Sequence, residues 1–145
     1  MTTLVTRTPE ETESAGAEFA AVLKPGDIVA LTGPLGSGKT SFVSGACAAL
    51  GATGHFGSPT FTLINEYPAG TVTIVHADMY RIASRVEMAE IGLAEYFQPP
   101  YICFIEWAEH ILDLLPSGHY LISFEHCGGA TERRITIRQP DESTR

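Results

Sequence analysis

A chain of 145 residues that is 44% hydrophobic and 18% charged has the composition of one globular domain, not that of a disordered or fibrous segment. Nine Lys and Arg against 17 Asp and Glu give a formal charge of -8; this argues against a surface that holds nucleic acid by itself, since neutralising phosphates needs a basic face. No apolar run approaches the roughly 20 residues of a membrane span and residues 1–7 lack a signal-peptide core, so a cytosolic protein with no membrane role is expected.

In chain order, Leu4 to Arg7 reads as a short edge strand. Thr8-Pro9-Glu10-Glu11 is a capping box with proline at the first helical position, and Thr12, Gly16, Phe19, Ala20 and Leu23 recur at helical spacing until Lys24-Pro25-Gly26-Asp27 stops the helix. Ile28 to Thr32 is apolar without alternation, the pattern of a strand covered on both faces.

The next residues, GPLGSGKT, fit G-x-x-x-x-G-K-[ST] at Gly33, Gly38, Lys39 and Thr40. Glycines without Cβ let successive backbone N–H groups curl around an anion, and the following helix adds its positive end. Gly33, Gly36, Ser37, Gly38, Lys39, Thr40 and Ser41 are therefore the candidate phosphate cradle, with Lys39 reaching the outer phosphates and Thr40 offering a hydroxyl to Mg²⁺. Phe42, Val43, Ala46, Cys47 and Leu50 then make one helical face.

Residues 51–58 read as a loop, and Phe61 to Tyr67 and Thr71 to Ala77 as a hairpin turning at Pro68-Ala69-Gly70. Ser84-Arg85-Val86-Glu87 caps a helix expected to run to about Phe97, before Pro99-Pro100. Tyr101 to Ile105 is a second continuous apolar strand, ending at Glu106; Trp107 to Leu115 reads as a short helix. Tyr120 to Phe124 and Ile135 to Arg138 read as a late antiparallel pair, and residues 139–145 as a frayed tail. The sum is one domain over 1–145 with a three-layer α/β fold and a mixed, partly parallel central sheet, its nucleotide site at the carboxyl ends of the central strands. Cys47, Cys103 and Cys127 show no C-x-x-C spacing and are expected as reduced, packed thiols.

A cradle of this kind needs a carboxylate to steady Mg²⁺, usually at the end of an apolar strand. Asp78 and Glu106 both qualify. Glu106 follows the cleaner apolar run and is the preferred ligand, with Asp78 contacting the metal through water or orienting the attacking water. Ser58-Pro59-Thr60-Phe61-Thr62 lies where phosphate-sensing switches occur, which makes Thr60 and Thr62 candidate catalytic or switch residues. Arg81 and Arg85 are candidates for gripping phosphate or a partner. No N-K-x-D segment is present to read guanine, so ATP is the expected nucleotide.

GPLGSGKT, SPTFTLINEY, HADMYRI, EMAEIGLAEYF and IEWAE, in this order, resemble the TsaE family, also called YjeE or YdiB. Ala77 stands where that family usually has an aromatic residue. The resemblance implies a P-loop ATPase of tRNA threonylcarbamoyladenosine synthesis, companion to TsaB and TsaD proteins that modify adenosine 37 of tRNA, so that tRNA is met through the complex. It also implies that residues 36–41 bind phosphate, that Thr40 and Glu106 hold Mg²⁺, and that Asp78 with Thr60 and Thr62 belongs to the catalytic or switch set. Weak activity in isolation is expected, because no arginine finger is assignable within the chain. The alternative is a small-molecule kinase on the same scaffold, disfavoured by the scarcity of cations and the absence of a long lid insertion.

Overall fold

The structure, a computed structural model, describes residues 1–53, 63–82 and 84–140. Its elements in chain order are β1 (Thr2–Thr6), α1 (Pro9–Ala20), β2 (Ile28–Thr32), α2 (Lys39–Ala49), β3 (Ile64–Ala69), β4 (Val72–Asp78), α3 (Arg85–Ile91), β5 (Tyr101–Glu106), β6 (Tyr120–His126) and β7 (Arg133–Arg138). Among the described residues seven strands form one sheet in the order β1-β7-β6-β2-β5-β4-β3. The four central strands are parallel (β6 to β2, β2 to β5, β5 to β4), and antiparallel strands flank them on both sides. The expected mixed, partly parallel sheet is the one observed.

The continuous apolar runs supply both faces of this sheet. In β2, Val29 and Leu31 face α1 and α2, where Phe19, Phe42 and Phe124 pack. Ile28 and Ala30 face the other layer, with Val75, Met88, Cys103 and Ile111. The aromatic rings of the first layer meet edge to face, Phe42 against Phe124 at 5.5 Å and Phe19 against Tyr120 at 5.2 Å. Cys47 and Cys103 are buried as free thiols, and burial pushes the Cys47 thiol up to about 12.

The N-cap hydroxyl forms its half of each expected capping box. The Thr8 hydroxyl accepts from the Glu11 N–H at 3.1 Å and the Ser84 hydroxyl from the Glu87 N–H at 3.2 Å. The Glu11 carboxylate reaches back one residue further than the motif requires, to the N–H of Arg7 at 3.0 Å.

Two expected helices differ. α3 ends at Ile91, because Gly92 takes the left-handed conformation (φ 72) that terminates helices, and Leu93–Tyr96 continues as a 3-10 turn. The segment after Glu106 is two 3-10 turns, Ala108–His110 and Leu112–Leu114, in place of one helix. β5 keeps its pairing to the end, the Glu106 carbonyl accepting from the Met79 N–H at 3.0 Å, and the chain must then turn sharply at Trp107 (φ 58).

α1 and α2 approach so closely that glycine is required at the crossing. A Cβ on Gly16 would stand 2.0 Å from the Phe42 carbonyl oxygen, and one on Gly45 would stand 1.9 Å from that of Glu13. These neighbours are backbone and cannot swing aside. Gly45→Ala is therefore expected to cost at least about 2 kcal/mol, read as a fall in the urea midpoint. An unchanged midpoint would contradict the close approach.

Candidate functional site

β2 enters the P-loop at its carboxyl end, and α2 leaves it. Gly33, Gly36 and Gly38 have φ of 143, 71 and 104, conformations that side-chain-bearing residues rarely take. Behind the loop, a Cβ on Gly33 would meet the Phe124 carbonyl oxygen at 2.7 Å; in front, Gly36 faces open space. Gly38 caps α2 without any side-chain hydrogen bond, so the first N–H groups of an 11-residue helix point into the loop uncapped.

Lys39, the first residue of α2, is only 5% exposed. Its ammonium donates to the carbonyls of Gly33 and Pro34 and lies 3.7 Å from the centre of the Trp107 ring. Burial pushes its pKa down, while the carboxylates of Glu109, Glu106 and Asp78 pull it back.

Thr40, one residue on, donates its hydroxyl to the Glu106 carboxylate, 3.0 and 3.1 Å from its two oxygens. Glu106 is 2% exposed, and its second oxygen also meets Nε2 of buried His76 at 2.5 Å. Register explains the meeting: Asp78 pairs with Glu106 and His76 with Phe104 across parallel strands, so alternation puts all three polar groups on the α2 face. Asp78 accepts the Tyr80 N–H at 2.8 Å. Burial pushes its pKa up, the Tyr80 N–H opposes that shift, and the Glu106 charge adds to it.

A cavity of about 340 Å³ opens over this loop, within the range of small-molecule sites. Gly36 to Ser41 line it together with Glu106 and Trp107 and with Pro9, Thr12, Thr131 and Arg133. Ser37 Oγ is buried and has no hydrogen-bond partner among the described residues.

The predicted residues thus divide. Gly36, Ser37, Gly38, Lys39, Thr40, Ser41 and Glu106 line one cavity; Gly33 underlies it; Asp78 neighbours Glu106 without lining it. Thr60 and Thr62, with the rest of 54–62, lie outside the described residues. Arg81 and Arg85 are exposed and do not line the cavity.

Sequence reasoning missed four contacts. His76 holds Glu106, Glu109 accepts the Gly33 N–H at 3.0 Å, and His126 and Arg133, paired across the β6–β7 hairpin, meet the carbonyls of Leu35 and Gly36. Only His76 carried a local signal, its i, i+2 spacing from Asp78 on a strand.

The family model described as "Threonylcarbamoyl adenosine biosynthesis protein TsaE" matches residues 6–135. The chain belongs to the TsaE family. It is 42% identical over 129 residues to the tRNA threonylcarbamoyladenosine biosynthesis protein TsaE of Bacillus subtilis, covering 89% of this chain and 80% of that one. To the TsaE protein of Treponema pallidum it is 38% identical, over 92% of this chain and 97% of that one. The crystal structure of Bacillus subtilis YdiB superposes with a TM-score of 0.80 at 37% identity, over 95% of this chain and 84% of the other. The fold is therefore the P-loop fold of TsaE proteins, and the family is one of tRNA threonylcarbamoyladenosine biosynthesis. Among the described residues, no helix of this TsaE-family chain is long and apolar enough to cross a membrane.

Proposed function

We propose that this TsaE-family chain binds and hydrolyses ATP with Mg²⁺, slowly alone and faster with TsaB-like and TsaD-like partners, in support of tRNA threonylcarbamoyladenosine synthesis. The observation that carries the reading is the Thr40 hydroxyl set on a buried Glu106 carboxylate beside Lys39, at the mouth of a glycine loop. The residues fit the ligands. Hydroxyl and carboxylate oxygens suit a hard divalent cation, the uncapped N–H groups of α2 suit phosphate, and Ser37 Oγ is a buried polar atom with no partner among the described residues.

In this reading the backbone of residues 36–41 binds the phosphate chain, Lys39 offers its ammonium to the outer phosphates, and Thr40 and Glu106 hold the metal. Mg²⁺, when bound, supplies positive charge against the phosphate oxygens. His76 keeps the Glu106 carboxylate oriented, Asp78, beside Glu106 on the neighbouring strand, would contact the metal through water or orient the attacking water, and Trp107 shields the cavity from solvent. Thr60 and Thr62 complete the switch set proposed from the sequence. The charge of -8 fits a protein that meets tRNA through its partners and not by a basic face of its own.

Phosphate release measured with the chain alone and with TsaB and TsaD proteins tests this reading. The expected result is a slow basal rate raised by the partners; a partner that adds a positioned arginine has scope to raise turnover by roughly 10³ to 10⁵. A small-molecule kinase would instead be indifferent to those partners.

A further inference from the structure

The C-terminal hairpin carries a cation into the nucleotide cavity. Arg133 opens β7, and its side chain lines the same cavity as Lys39 and Thr40. Its guanidinium donates from Nε (3.2 Å) and Nη2 (2.9 Å) to the Gly36 carbonyl, and from Nη1 to the carbonyls of Ala130 and Glu132, both at 2.9 Å. Every acceptor is a neutral main-chain oxygen.

Among the described residues no carboxylate forms an ion pair with it, whereas the next residue, Arg134, has Glu125 at 3.8 Å. Four carbonyl bonds use four of the five N–H donors of the fork and fix its position without cancelling its charge. A full positive charge is thus held in place on the wall of the cavity, beside the crest of the loop. A site so lined favours an anion, and one longer than a single phosphate, because the Lys39 ammonium is held at the Gly33 and Pro34 carbonyls and the Arg133 guanidinium further along the loop at Gly36.

We propose that Arg133 is a phosphate-binding residue, the second cation of the site after Lys39, which contacts the polyphosphate chain of the nucleotide on the Gly36 side. The assignment rests on the nucleotide reading above and adds a binding group that no sequence motif indicates. A second role follows from the same bonds, support of the loop crest through the Gly36 carbonyl. The two are separable: support needs only a donor, whereas phosphate binding needs the charge.

The test is fluorescence titration with mant-ATP at several ionic strengths, on wild type, R133Q, R133K and K39A, with thermal melts to establish folding. R133Q is expected to bind about 10- to 100-fold more weakly than wild type, the range for one charged hydrogen-bonding contact, and with a shallower loss of affinity as salt rises. R133K keeps the charge and gives up the fork, so it keeps the wild-type salt dependence at an intermediate affinity. R133N, which also keeps a neutral donor, takes the place of R133Q should that variant not fold. Wild-type affinity in R133Q overturns the proposal. So does an equal loss in R133Q and R133K with unchanged salt dependence, which would leave Arg133 as loop support alone. If wild type fails to bind mant-ATP, or K39A binds it as wild type does, the nucleotide reading itself falls and takes this proposal with it.

Discussion

Replacing Lys39 with alanine is expected to lower affinity for Mg-ATP by about 10- to 100-fold, the worth of a charged hydrogen bond to phosphate, while the fold stays intact. The ammonium is buried against the Trp107 ring and bonded to the Gly33 and Pro34 carbonyls, so two opposed terms set its effect on stability. Its removal takes the lysine donor from the Gly33 carbonyl, at about 1–3 kcal/mol where water cannot reach it, while the Pro34 carbonyl keeps the Ser37 N–H at 3.2 Å. It also relieves the burial that pushes the Lys39 pKa down.

The sign of that second term is fixed. A lysine whose folded pKa lies below its ordinary 10.5 binds its proton less tightly when folded, so the penalty is fully present below the folded pKa and fades as pH rises toward 10.5. Lys39→Ala lacks this rise in stability with pH. Calorimetric titration together with melting curves at several pH values reads both effects, and wild-type affinity in a folded Lys39→Ala protein would remove the cradle from the account.

Glu106→Gln is expected to reduce Mg²⁺-dependent ATP turnover by about 100-fold or more, since loss even of groups that only support metal ligands costs 10- to 100-fold. Nucleotide binding without Mg²⁺ should change far less, because Lys39 and the loop N–H groups remain. The amide conserves shape but replaces one acceptor oxygen with a donor. The Glu106 oxygens receive the Thr40 hydroxyl and meet His76 Nε2, so one of these contacts must rearrange, and some loss of stability accompanies the loss of function. The measurement is turnover per folded molecule across a Mg²⁺ titration. Unchanged turnover per folded molecule in a destabilised protein would make Glu106 a structural carboxylate.

Much of this was legible in the sequence because it is local. Ile28 to Thr32 and Tyr101 to Glu106 announce buried parallel strands by unbroken apolar runs, and each occurs with those bounds. GPLGSGKT is contiguous, and the carboxylate that lines the same cavity, Glu106, ends the neighbouring strand. What stayed hidden depends on distant pairing. Arg133 and Gly36 are 97 residues apart in the chain and Glu109 and Gly33 are 76 apart, and neither spacing leaves a periodic trace. The short helix expected from Trp107 failed for a related reason: the helical spacing is real, but the pairing of β5 up to Glu106 forces a left-handed turn at Trp107 that propensity does not register. Gly92 carried a helix-stop signal, yet no proline followed it until Pro99, and a C-cap glycine is hard to tell from one tolerated inside a helix.

The most direct test of the central claim is phosphate release from ATP by this chain in the presence and absence of TsaB and TsaD proteins, with Lys39→Ala as the control. Slow release by the chain alone, a marked increase with both partners, and loss of that increase in Lys39→Ala are the expected results. Equal, slow rates with and without the partners would contradict the central claim, and would leave a nucleotide-binding protein whose ATP does not drive turnover.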